Sequence, residues 1–300
     1  MSAPRQVLPG STYLITRRCI LRQFLIRPSS AINRIFLFCL ANAAERFSMQ
    51  VHAFCMLSNH YHLVITDPEA RLPEFIHWFN EYTAKCVNAL YDRQESVWAS
   101  GQCSAVSLED PDAILDKIVY TITNPVAAGL VRKGDHWPGL RSRPDEIGGK
   151  RMSAKRPPVY FKGDGVVPKK ADFKLVRPPA FSDMTNRAFI ELVDERIRQR
   201  EQEIRHEFAA DERQFLGKGR ILAQSPFDFP TTREPVQGLN PRVACRDRGR
   251  LVEAVQRLRL FLSVYREAWR RFCEGEQDVV FPAGTYWLQV QYGVNCAAPT

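Results

Sequence analysis

Apolar and polar positions alternate with two distinct periods in the front of the chain. Thr12 to Cys19 (TYLITRRC) is rich in β-formers and predicts a strand. Pro28 and Ser29 open a segment in which Ile32, Ile35, Phe36, Cys39, Leu40 and Ala43 recur at helical spacing. Met49 to Leu57 and His60 to Thr66 predict two strands joined by a tight turn at Ser58 and Asn59, hence a hairpin. Leu72 to Leu90 predicts a helix, with Phe75, Phe79, Tyr82, Cys86 and Leu90 on one stripe. One more strand is expected at Cys103 to Leu108. A helix then starts at Asp110-Pro111, a good N-cap followed by the proline favoured at the first helical position, and is expected to end near Asn124, before Pro125. The resulting order β-α-β-β-α-β plus a last helix predicts an α+β fold, an antiparallel ferredoxin-like split βαβ sheet with helices.

The texture changes after residue 140. Residues 141–182 are dominated by Pro, Gly, Lys and Arg and predict a basic linker. Met184 to Phe208 predicts a helix, and Thr231 to Asp247 a loop. Arg248 to Phe272 predicts another helix, whose Val255, Leu258, Leu262, Tyr265, Trp269 and Phe272 make one apolar face. Three parts are therefore expected: a catalytic domain at 7–140, a linker at 141–182 and a mainly helical, basic C-terminal region at 183–300.

Charge sharpens this division. Residues 1–140 carry 13 Lys/Arg against 12 Asp/Glu, whereas residues 141–300 carry 29 against 21. A near-neutral front and a basic rear suit a catalytic domain with an extension that binds a polyanion. No stretch has the ~20 consecutive apolar residues of a membrane span, and no apolar leader core follows the N-terminus, so a cytoplasmic protein is expected. The eight cysteines are scattered without a C-x-x-C pair, as expected of reduced thiols.

Candidate chemistry concentrates at two places. In His60-Tyr61-His62, strand geometry sends both imidazoles from one face, close enough to hold one divalent cation, and turns Tyr61 into the core. Tyr120 and Asn124 are four residues apart on the predicted helix, on the side opposite Ile114, Ile118 and Ile122, so a phenol and an amide project together from the non-core side. Lys117 lies one turn before Tyr120 and is placed for an electrostatic contribution. A cation held by two imidazoles and a side-chain oxygen keeps positions open for a phosphodiester, and a nearby tyrosine can act as nucleophile. His52 is either a support for this cluster or a packed core histidine.

These residues stand in a recognisable setting. Ser58 to Ile65 (SNHYHLVI) resembles the histidine–hydrophobic–histidine motif of the single-tyrosine HUH, IS200-like transposases. Tyr120 to Val131 (YTITNPVAAGLV) is similar to the signature of their REP-associated subgroup. The resemblance implies metal ligation of Mg²⁺ or Mn²⁺ by His60 and His62, with Asn124 in the place of a polar third ligand. It also implies attack by Tyr120 on single-stranded or hairpin DNA, giving a 5′-phosphotyrosine and a free 3′-hydroxyl in a bacterial, nucleoid-associated protein. Segments 238–246 and 281–286 resemble a C-terminal extension of some members, and Arg242, Arg246 and Arg248 there are candidates for phosphate contacts. A homodimer is compatible with the sequence, which leaves open whether Tyr120 serves its own chain's metal or a partner's. A non-catalytic hairpin-binding regulator and a replication-type nickase are the alternatives.

Overall fold

The computed structural model describes residues 4–101, 103–163, 165–232 and 241–299. The front elements are β1 (Ser11–Arg18), α1 (Ser30–Arg46), β2 (Gln50–Met56), β3 (His60–Asp67), α2 (Leu72–Tyr91), β4 (Ser104–Leu108) and α3 (Pro111–Ala127). Their strands pair antiparallel in the order β2-β3-β1-β4, the split βαβ arrangement expected from the element order. Ser29 caps α1 by accepting from the Ile32 amide, and the Asp67 carboxylate accepts from the Arg71 and Leu72 amides at the start of α2.

Strand alternation sorts β3 between two layers. Tyr61 points at α1 and α2, where its ring meets Phe36 at 5.7 Å and Phe79 at 5.2 Å between centroids. Its hydroxyl donates to Asn80 Oδ1 at 2.7 Å, which meets the one polar need of a fully buried phenol. His60, His62 and Thr66 leave the opposite face, which α3 covers. Pro125 does not end α3 as expected. The helix continues to Ala127, and the amides of Ala128 and Gly129 bond to the carbonyls of Asn124 and Val126, so one missing donor near the end is tolerated. Asn124 therefore keeps helical geometry one turn beyond Tyr120.

Residues 141–182 are not an open linker. β5 (Met152–Lys155) and β6 (Lys170–Phe173) form a hairpin against α1, and Ala154, Ala171, Phe173, Leu175 and Phe181 join the main core. The apolar residues here are few, and these five are buried. α4 (Asn186–Ala210) follows and packs along α3, with Ile204 and Phe208 beside Val126 and Val131. The loop expected at 231–247 also needs correction. Residues 233–240, with the Gly238-Leu239-Asn240 part of the motif noted above, lie outside the described residues, but β7 (Val243–Ala244) pairs in parallel with β4 and extends the sheet to five strands.

Beyond α5 (Lys218–Ala223) and β7 come α6 (Arg248–Cys273), β8 (Val280–Phe281), α7 (Trp287–Tyr292) and β9 (Asn295–Cys296). The turn before α7 clasps the N-terminal segment. Val7 donates to the Gly284 carbonyl at 3.1 Å, and Gln6 Nε2 donates to that of Ala283 at 3.1 Å. Gly284 has φ +85°, and a Cβ there would lie 2.9 Å from the Val7 carbonyl oxygen, so only glycine fits. Among the described residues no helix is long and apolar enough to cross a membrane.

His52 proves to be the packed histidine of the two readings. It is the extra residue of a bulge in β2, between Val51 paired with Ile65 and Ala53 paired with Val64. Its Nδ1 donates to the Val176 carbonyl and its Nε2 accepts from Thr66 Oγ1, both at 2.8 Å. Burial lowers its pKa from 6.5 to about 4, against the opposing pull of the Val176 carbonyl. Its folded value is depressed, so its contribution to stability is present above about pH 6.5 and is lost as pH falls towards 4. The full swing is about 3 kcal/mol. Urea unfolding from pH 7.5 to 4 is expected to show a shallower pH dependence for His52→Gln than for the parent, and parallel curves would refute this.

Candidate active site

The candidate residues meet on the α3 side of the sheet. The His60 and His62 rings lie 4.9 Å apart between centroids, and the Tyr120 ring stands edge-on to His62 at 5.1 Å. All three belong to one chain, within which the Tyr120 ring reaches His62. Asn124 is buried next to Tyr120, whereas the phenol ring stays 42% exposed. The expectation that both face away from the core needs amending. α3 is sandwiched between sheet and α4, so its second face is also partly covered.

Hydrogen bonds orient both imidazoles. His62 Nδ1 bonds Thr16 Oγ1 at 2.8 Å, and His60 Nδ1 bonds Asn59 Oδ1 at 2.7 Å. Asn59 Oδ1 can only accept, so His60 carries a proton on Nδ1. His62 Nε2 is buried and has no hydrogen-bond partner among the described residues. A buried polar nitrogen without a partner is costly unless something binds it. Burial, then the nearby His60 and Lys117, hold His62 well below the ordinary histidine range, so it stays in the neutral form that ligates metals.

Tyr120 is tuned the other way. Burial of the hydroxyl raises its pKa, a hydrogen bond from the Asn124 amide opposes this, and Cys55 adds to the rise. The resting group is a neutral phenol. Lys117 Nζ sits 5.5 Å from the centre of the Tyr120 ring and favours negative charge on it.

Residues 13–117 match the family described as IS200-like transposases. That match covers about a third of the chain and lies within its front domain. A solved structure of a REP-associated tyrosine transposase bound to a REP hairpin aligns with a TM-score of 0.39 and 14% identity, over 45% of this chain and 78% of that one. No curated protein matches the chain.

In this front domain, sequence reasoning missed Thr16 and Asn59. Asn59 was legible as the neighbour of His60, but Thr16 is 46 residues from His62 and becomes its partner only through the β1–β3 register. The rear arginines play a different part from the His–Tyr cluster. Arg242 Nη1 donates to the Pro4 carbonyl at 2.6 Å, and Arg246 Nε pairs with Asp116 at 3.0 Å, so both tie the extension to the front domain. Arg248 is exposed at the start of α6.

The extension is also fastened at the start of α3. Asp110 Oδ1 caps α3 by accepting from the Ala113 amide at 2.6 Å, while Oδ2 accepts from the amides of Arg246 at 2.7 Å and Asp247 at 3.0 Å. Burial alone would raise this carboxyl, but hydrogen bonds from Cys245, Asp247, Ala113 and Arg246 outweigh it and bring the pKa down to about 2. Asp110→Ala removes a cap and leaves two amides without their acceptor. It is expected to cost about 2–3 kcal/mol in urea unfolding and to make the extension more sensitive to limited proteolysis. A loss below about 0.5 kcal/mol would show that the carboxylate does not hold the two parts together.

Proposed function

We propose that the chain cuts and rejoins single-stranded DNA, in bare or hairpin form, with Tyr120 as the nucleophile and His60, His62 and Asn124 as ligands of one divalent cation. The observation that carries this reading is the imidazole pair, oriented through both Nδ1 atoms, with the buried His62 Nε2 lacking a partner among the described residues, against the edge of an accessible phenol.

The donor set fits a metal. Oriented imidazoles whose second nitrogen meets an oxygen are the usual setting of metal-binding histidines. Among the described residues no group of three His, Cys, Asp or Glu could hold a metal. The amide oxygen of Asn124, buried beside Tyr120, is the third protein donor in this reading, the place that the family resemblance gives it. Two nitrogens and an oxygen suit Mn²⁺ better than the harder Mg²⁺. When bound, the cation supplies Lewis-acid polarisation of a phosphodiester.

The chain's own groups do the rest. Tyr120 loses its proton, aided by the Asn124 amide and the Lys117 charge, and Oη forms a bond to phosphorus. The bond from phosphorus to the 3′ oxygen breaks, that oxygen takes up a proton, and the 5′ phosphate stays on the tyrosine. Attack by a 3′-hydroxyl runs the sequence backwards and frees the phenol. One phosphodiester replaces another at each step, so no nucleoside triphosphate is consumed. Incubation with labelled single-stranded hairpin oligonucleotides and Mn²⁺ is expected to give a covalent protein–DNA band. Tyr120→Phe is expected to abolish that band while binding persists, and an adduct formed by this variant would refute the assignment.

A further inference from the structure

We infer that Phe227 and Phe229 form a stacking platform for unpaired bases of the DNA strand next to the His60–Tyr120 centre. The inference rests on the DNA-cutting reading above and adds a binding site to it.

The platform is built where a rear segment crosses the end of the sheet. The Phe24 amide donates to the Asp228 carbonyl at 2.9 Å, Arg22 Nη1 to that of Thr232 at 2.6 Å, and Arg27 Nη1 to that of Leu222 at 3.1 Å. This segment is therefore strapped down, yet its aromatic rings are not put away. Phe229 is 62% exposed and Phe227 49%, and Leu21 is 76% exposed in the turn after β1. The Phe227 ring is steadied by Tyr91, at 5.9 Å between centroids, and by the Arg93 guanidinium at 5.8 Å. Leu21 and Arg22 have φ values of +49° and +59°, a conformation that costs energy for residues with a Cβ and that here turns Leu21 outwards.

Two features select the occupant. First, the Arg93 guanidinium lies over the Phe227 ring, and Arg22 and Arg27 bond the backbone of the same segment, so the patch joins flat apolar surfaces to positive charge. Single-stranded nucleic acid has the complementary pair, base faces and phosphates, whereas a duplex hides its base faces. Second, the patch is one side chain from the active site. Asn59 donates through Nδ2 to the Arg22 carbonyl at 3.1 Å and accepts from His60 Nδ1 at 2.7 Å. A strand lying on the platform thus borders the imidazole pair.

The test uses the full chain in EDTA, so that binding is read without cleavage. Fluorescence anisotropy compares a labelled hairpin of mixed sequence carrying a tail of about ten nucleotides with the same hairpin blunt-ended. The double variant Phe227→Ala/Phe229→Ala is expected to lose at least about tenfold in affinity for the tailed probe and less than about twofold for the blunt one. Phe229→Trp, which keeps a stacking face, is expected to stay within about twofold of the parent on both. Equal losses on both probes, no loss on the tailed one, or a tail that adds nothing to binding by the parent would overturn the platform and leave the catalytic reading standing. A shift of the double variant to a smaller particle in size-exclusion chromatography would overturn it too, as the mark of a protein–protein surface. Failure of the parent to bind either probe would overturn both readings.

Discussion

Replacing His62 with alanine is expected to weaken Mn²⁺ binding by more than about 100-fold and to remove the covalent DNA adduct along with it. The reason lies in where this ring sits. It is 3% exposed, it bonds Thr16 through Nδ1, its ring lies against those of His60 and Tyr120, and its Nε2 has no partner among the described residues. A ring held so firmly loses little further freedom when it takes a ligand, so much of the binding free energy is retained. Thr16→Val keeps the shape of the β1 position and removes the oxygen. It is expected to cost about 10–100-fold in Mn²⁺ affinity, as loss of an orienting partner does. Titration followed by Mn²⁺ electron paramagnetic resonance reads both. Parent-like affinity in His62→Ala would remove His62 from the metal site, and a silent Thr16→Val would show that the ring needs no orientation.

The contrast between these two residues also shows what one sequence reveals about such a site. His60 and His62 are two apart on a strand, and Tyr120 and Asn124 four apart on a helix. Both relations follow from local periodicity, so each pair was legible before any tertiary structure. Thr16 acts on His62 only because β1 and β3 pair in one register, a long-range fact that no local pattern encodes. Burial failed the sequence reading in a similar way. In residues 141–182 the apolar side chains are too sparse and too interrupted by Pro, Gly and Lys to show a period, yet Ala154, Phe173 and Leu175 fill gaps against α1 and the sheet edge. β7 is two residues long and forms because β4 offers an unpaired edge, a condition set by a strand more than a hundred residues earlier in the chain. The parts fixed by neighbours in sequence were readable, and the parts fixed by neighbours in space were not.

Mixing His62→Ala with Tyr120→Phe is expected to restore no covalent adduct. In this chain α3 is fastened along its length to its own molecule. Asp110 at its start holds the Arg246 and Asp247 amides, α4 lies along its side, and the turn after it bonds onward, with Leu216 and Gly217 donating to the carbonyls of Gly129 and Leu130. Moving α3 to a partner would require all of these contacts to be remade there. Each chain therefore brings its own Tyr120 to its own His62, and two differently damaged chains cannot complement one another. If α3 were exchanged between two subunits, mixed dimers would carry one intact centre, and a 1:1 mixture would recover about a quarter of the parent adduct. Co-expression of the two variants, with separate tags to isolate mixed assemblies and a labelled hairpin in Mn²⁺ as probe, distinguishes the cases. Recovery above about a tenth of the parent level would overturn the cis assignment, and with it the view that the contacts around Asp110 and α4 keep Tyr120 at home.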